Sequence, residues 1–189
     1  MKQLSDEIVI AQTRCWIERV VMQHNLCPFA HKPYQSERVR YRVSAAGDPE
    51  TLLRDLVDEL EILRASDPQQ LETTVLIHPD VLQDFLDYND FLDVVDLLLE
   101  QGGYVEQFQI ASLHPDYQFS GTDADAAENY TNRSPYPILH LLREQSVEQV
   151  LGKYPDPDAI PERNIATMNR LGSEALRQIL QECLQAGDE

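Results

Sequence analysis

The triplet His-Pro-Asp occurs twice, at 78–80 and 114–116, and the second leads through a polar stretch into NRSPYPILHLLRE at 132–144. Histidine can move a proton near neutral pH, and a nearby aspartate can orient it. His114 and His140 are therefore candidate general acids or bases, with Asp116 as the orienting carboxylate. Arg133 offers a planar fork that fits carboxylate or phosphate in two contacts. Asn129, Asn132 and Ser134 add hydrogen-bonding groups beside it. Ser134, Pro135 and Pro137 read as a capped helix start, whose free N–H groups and dipole attract anions. On that helix His140, Arg143 and Glu144 share a face, which adds Arg143 to the anion contacts. These residue types predict a site for a phosphate- or carboxylate-bearing small molecule, with hydrolysis or group transfer as its chemistry.

The elements that must position these residues follow from periodicity. Ser5 caps a helix that runs to about His24, and RVRYRV at 38–43 alternates as a strand does. Asp48 and Pro49 open a helix carrying Leu52, Leu56, Leu60 and Leu63. TTVLI at 73–77 is a β-branched strand. A long apolar and acidic helix follows, divided near DYND at 87–90 and ended by the glycines at 102 and 103. YVEQFQIASL at 104–113 is a third strand. A helix from Pro135 to about Leu151 and a last one from Pro161 complete the order αβαβαβαα. This predicts a single α/β domain over 1–189, with a small, mostly parallel three-stranded sheet covered by helices. Parallel order puts His78 and His114 on one carboxyl edge, where open α/β sheets bind ligands. The stretch 115–134 has no periodicity, and loops of that length are usually functional or disordered.

Bulk properties narrow the partners. Fifteen basic and 33 acidic side chains give a formal net charge of −18, which disfavours nucleic acid and anionic membrane surfaces. The beginning of the chain has no signal-peptide pattern, and no stretch is long enough to span a bilayer. Three widely spaced cysteines without a C-x-x-C pair predict a reduced, cytoplasmic protein. His24, Cys27 and His31 match no zinc spacing, and Cys27 is a weak nucleophile candidate. No bound metal is expected; the cofactor and the oligomeric state are open. The strand arginines Arg38, Arg40 and Arg42 should pair with the chain's own carboxylates. Three further readings stand beside the enzyme: a non-catalytic sensor using the same pocket, an acidic module docking a basic protein, and a metal site of His78, Asp80, His114 and Asp116.

LCPFA after the first helix, HPDYQF leading to NRSPYPILHLLRE, and IPERN opening the last helix resemble an uncharacterised bacterial family, domain-of-unknown-function family 1415. The resemblance covers essentially the whole chain. It implies a small bacterial single-domain protein and brings no activity, cofactor or catalytic residue.

Overall fold

The computed structural model describes residues 4–187. Ser5 accepts a hydrogen bond from the Ile8 N–H and starts α1 (Asp6–Trp16), which widens into a π-helical segment, Ile17–Met22. A short helix α2 (His31–Gln35) leads to β1 (Val39–Val43). The Asp48 carboxylate accepts from the Thr51 N–H at 2.8 Å and caps α3 (Pro49–Ala65). Then come β2 (Thr73–Ile77), α4 (Phe85–Gln101), β3 (Phe108–Leu113) and β4 (Ile138–Arg143). The helices α5 (Glu144–Leu151), α6 (Ile160–Leu171) and α7 (Ser173–Cys183) close the chain.

The fold is α/β, but the sheet has four strands in the order β1-β2-β4-β3 and is mixed. β1 and β2 are parallel, and β4 runs antiparallel to both β2 and β3. This corrects the expected three-stranded, mostly parallel sheet, and it replaces the first half of the helix expected from Pro135. The reason is burial. Ile138, Leu139 and Leu141 are fully buried, and Leu142 nearly so. A central strand covered on both faces loses its polar alternation, and an apolar run of six is too short for period to separate strand from helix. β2 and β3, each antiparallel to β4, share a direction. His78 and His114 therefore do lie on one edge, flanking Pro137 and Ile138.

Two smaller differences have local causes. α4 is unbroken through 87–90, because Asp84 caps it by accepting from the Leu86 and Asp87 N–H groups, while Tyr88 and Phe91 pack inward. The last helix is divided at Gly172, whose φ of 83° suits glycine alone.

Helices cover both faces. On one, α3 and α4 pack Leu52, Leu56, Leu60 and Leu63 against Tyr88, Val95 and the inward face of β4. On the other, α1, α6 and α7 supply Val9, Trp16, Met168 and Leu176. Cys15 and Cys183 meet there as free thiols, their sulfurs 3.1 Å apart. The strand arginines pair as expected: Arg40 makes two bonds to the buried Glu59, at 2.7 and 3.0 Å, and Arg38 reaches Glu72 at 2.9 Å. Among the described residues no helix is long and apolar enough to cross a membrane.

Tyr88 joins the two sides of the carboxyl edge. Its hydroxyl donates to the Ile138 carbonyl at 2.8 Å and accepts from the Leu113 N–H at 3.1 Å. Its ring lies against both His78 and His114. Tyr88→Phe should leave a buried N–H and C=O unpaired and destabilise the fold by about 2 kcal/mol. Urea unfolding checks this, with an unchanged slope expected; a loss below about 0.5 kcal/mol would mean that the edge does not depend on this hydroxyl.

Candidate functional site

The residues singled out in the sequence separate into three places. At the carboxyl edge, the His114 Nδ1 accepts from the Asp116 backbone N–H at 3.0 Å. Its Nε2 therefore carries the proton and donates to the Leu82 carbonyl at 3.1 Å. Both ring nitrogens are engaged by backbone, and the ring is 1% exposed. It is the Asp116 amide, not its carboxylate, that orients the imidazole. Leu82 sits at φ 56°, a left-handed conformation that costs a non-glycine residue about 1–2 kcal/mol, and the His114 contact holds it. His78 takes the opposite tautomer: its Nδ1–H donates to the Val81 carbonyl at 3.0 Å, its Nε2 is buried without a partner, and burial pushes its pKa down to about 4.

The loop from 115 to 137 is tied by side chains. Asn129 is fully buried, accepts from the Phe119 N–H and the Thr122 hydroxyl, and donates to Asp123. Arg133 donates to the Tyr117 and Ala124 carbonyls and lies over the Tyr130 ring at 4.8 Å. Ser134 is buried and donates to the Tyr136 carbonyl at 2.6 Å. The chain after Ser134 enters β4, so the expected helix start, with its free N–H groups, does not form there. Asn132 donates to the Ser112 carbonyl at 3.2 Å and lines a cavity.

His140 lies in mid-sheet on β4. Three residues further, Arg143 points to the opposite face, about 10 Å along the strand. Arg143 donates to the Leu63, Ser66 and Leu71 carbonyls at the amino edge of the sheet. His140, Arg143 and Arg133 therefore do not share one pocket.

The cavity that His140 does line has a volume of about 630 Å³, within the range of small-molecule sites. Its floor is the sheet, through Tyr41, Thr73, Val75 and Ala111; the helical segment through Ile17 and Val21, the LCPFA turn and the start of α6 roof it. The wider π-helical turn, a geometry frequent at functional sites, lies in this roof. The lining holds one carboxylate, Glu128, and no lysine or arginine. The Thr73 hydroxyl has one proton, which it gives to the Leu141 carbonyl at 2.5 Å, so it accepts from His140 Nε2 at 2.9 Å. His140 is then the Nε2–H tautomer, and Nδ1 keeps a lone pair. Burial pushes this histidine down to about 4.

The whole-chain match to a family model now decides the relationship. The chain belongs to the family described as protein of unknown function, DUF1415. The match covers residues 8–178. No curated protein and no solved structure matches the chain.

In this DUF1415 protein, several cavity groups escape sequence reasoning. Trp16 Nε1, Tyr41 OH and Asn164 Oδ1 are buried without partners, and all three residues line the cavity. They come from a helix, a strand and another helix, and no spacing pattern links them. Cys27 lines it too. Burial pushes its thiol pKa up, against a smaller lowering by the nearby Phe29 and Ala30 N–H groups. Among the described residues no three His, Cys, Asp or Glu side chains converge as a metal ion would need.

His78 and His140 both sit near 4 against an ordinary 6.5. As pH falls, the unfolded chain takes up these protons through 6.5, while the folded chain resists until about 4. Their contribution is therefore whole above 6.5 and is lost progressively towards 4. Each histidine should add a slope of about 1.4 kcal/mol per pH unit in that window. Urea midpoints across pH 8 to about 4.5 test the slope, and histidine ring NMR should show His140 flat from pH 8 down to about 5. A His140 midpoint near the ordinary value would remove the desolvated, neutral assignment.

Proposed function

We propose that this protein is a bacterial cytoplasmic enzyme, a hydrolase or group transferase, acting on a small anionic molecule whose apolar body fills the sheet-face cavity. The observation that carries the reading is the His140 Nδ1 lone pair, held in an otherwise largely apolar chamber by the bond from Nε2 to Thr73. An acceptor left open in such a chamber selects a ligand that presents a donor to it, because the wrong ligand leaves a buried polar group unpaired. The unpartnered Trp16 N–H, Tyr41 hydroxyl and Asn164 carbonyl support a ligand with further polar groups at its rim.

Within this reading His140 orients the substrate by accepting its hydrogen bond, and Asn132 is a second contact. His114, Asp116, Asn129, Arg133 and Ser134 act as positioning residues, since their groups hold the edge turn and the loop wall. The substrate's charged end lies outside the chamber, whose lining offers it no cation. The low basicity of His140 also favours a second reading, a non-catalytic sensor that reads the ligand by the same bond. Turnover separates the two.

A matched pair of probes tests the cavity. p-Cresol carries the donor that toluene lacks, and it should bind wild type about five- to tenfold more tightly, a difference of about 1 kcal/mol. His140→Leu should erase that difference while the far-UV spectrum stays native. Equal affinities for the two probes in wild type would sink the reading. A screen of phosphate esters and thioesters, repeated on the variant, then decides between enzyme and sensor.

A further inference from the structure

A second concavity, about 480 Å³, opens at the amino edge of the sheet. It shares Phe29 and Pro33 with the apolar cavity, so the segment after Cys27 is a partition between the two. Its character is the reverse. Five cationic side chains and two carboxylates line it, in a chain whose net charge is −18.

Among the described residues seven arginines pair with the chain's own acids, and two of the five cations here are among them. Arg38 is buried against Glu72, and Arg64 pairs with Glu61 while stacking on Tyr104. The other three differ. Lys32 and Lys153 are exposed and make no ion pair within 4.0 Å among the described residues. They are the lysines of residues 4–187, and both face this one cleft from different elements, α2 and the connector after α5. Arg143 makes no ion pair within 4.0 Å among the described residues, although Glu72 and Asp67 act on its charge from further away. Its Nη2 is held by three carbonyls, its Nε is buried without a partner, and its Nη1 makes no hydrogen bond. Gln145 and Ser146, in the first turn of the eight-residue α5, line the same wall.

We infer that this cleft is an oxyanion site, taking the phosphate or carboxylate group of a small molecule between Lys32, Lys153 and Arg143. Two flexible ammonium groups close on the anion, and one guanidinium fixed by its carbonyl contacts supplies an immobile fork edge. Three acids oppose an incoming anion: Glu106, which lines the cleft, Glu72, whose Oε2 pairs with Arg38 while its Oε1 has no partner, and Asp67, which with Glu72 acts on the Arg143 charge. Unpaired cations that converge in so acidic a protein raise the local anion concentration where the surrounding surface lowers it. The site stands independently of the cavity reading, since none of its cations lines the cavity.

Calorimetry with inorganic phosphate and with acetate, against sodium chloride at matched ionic strength, tests it. Wild type should bind at least one of the two anions, and the stronger probe identifies the group as phosphate or carboxylate. Lys32→Gln with Lys153→Gln should weaken that binding tenfold or more. Both lysines are exposed, so the double variant should fold, and its response to p-cresol should stay at the wild-type level. Anion binding unchanged in the double variant, or no heat beyond the chloride control in wild type, would overturn the inference without touching the cavity assignment.

Discussion

The backbone of β4 must find partners on both sides, and much of the molecule follows from that requirement. Buried N–H and C=O groups left unpaired would cost about 1–3 kcal/mol each, and β4 has neighbours that run opposite to it on either flank. Antiparallel neighbours can be joined by a tight turn, yet β3 and β4 are joined by residues 114–137. The ladder is extended by the His114 N–H to the Asn132 carbonyl and the Ser134 N–H to the His114 carbonyl. The rest of the connection has no strand partner. Its polar groups turn inward instead: Asn129, Arg133 and Thr122 satisfy carbonyls and amides of the loop itself. Side chains that recognise ligands elsewhere are here occupied in replacing a missing ladder.

The same constraint decides the chemistry of the histidines. A ring at the end of a buried strand is cheapest to keep neutral, and a backbone partner then fixes its tautomer. His78 and His114 each contact a carbonyl of the turn after β2, at Val81 and Leu82, and share Tyr88 as a packing surface. His140 differs because its partner is a side chain. The Thr73 hydroxyl engages Nε2 and leaves Nδ1 to the chamber. His78 also keeps an unpartnered nitrogen, Nε2, but that residue does not line the cavity, so proton-transfer potential depends on which unbonded atom faces open space.

Much of the architecture was legible. The strands β1, β2 and β3, the caps at Ser5 and Asp48 and the shared edge of the two histidines follow from alternation and capping chemistry. β4 was not legible, because ILHLLR is leucine-rich and buried on both faces, so neither composition nor period marks it as a strand. That one misreading moved His140 off the supposed helix, separated it from Arg143 and dissolved the helix-start anion site. The pairing of Arg40 with Glu59 was legible as a class, since an acidic chain surrounds its arginines with carboxylates. Lys32 and Lys153 were not, because their convergence depends on how α2 and the connector after α5 fold back to one edge.

The two faces of the sheet also explain why a chamber exists on one and not the other. α3 and α4 present leucine and aromatic rows that fill the space above Leu139 and Leu141 at close packing. The opposite face carries Thr73 and His140, and an aliphatic layer pressed onto them would bury the Nδ1 lone pair without a partner. That face is roofed by short pieces instead: the π-helical turn, the LCPFA bend, the loop near Phe119 and the first turn of α6. Each is anchored elsewhere, as Asn164 is to the Leu26 carbonyl at 2.8 Å, so none needs the floor for its own stability. A polar atom in mid-sheet and a roof assembled from separately held segments are two aspects of one arrangement, in which packing is given up where a ligand can be received.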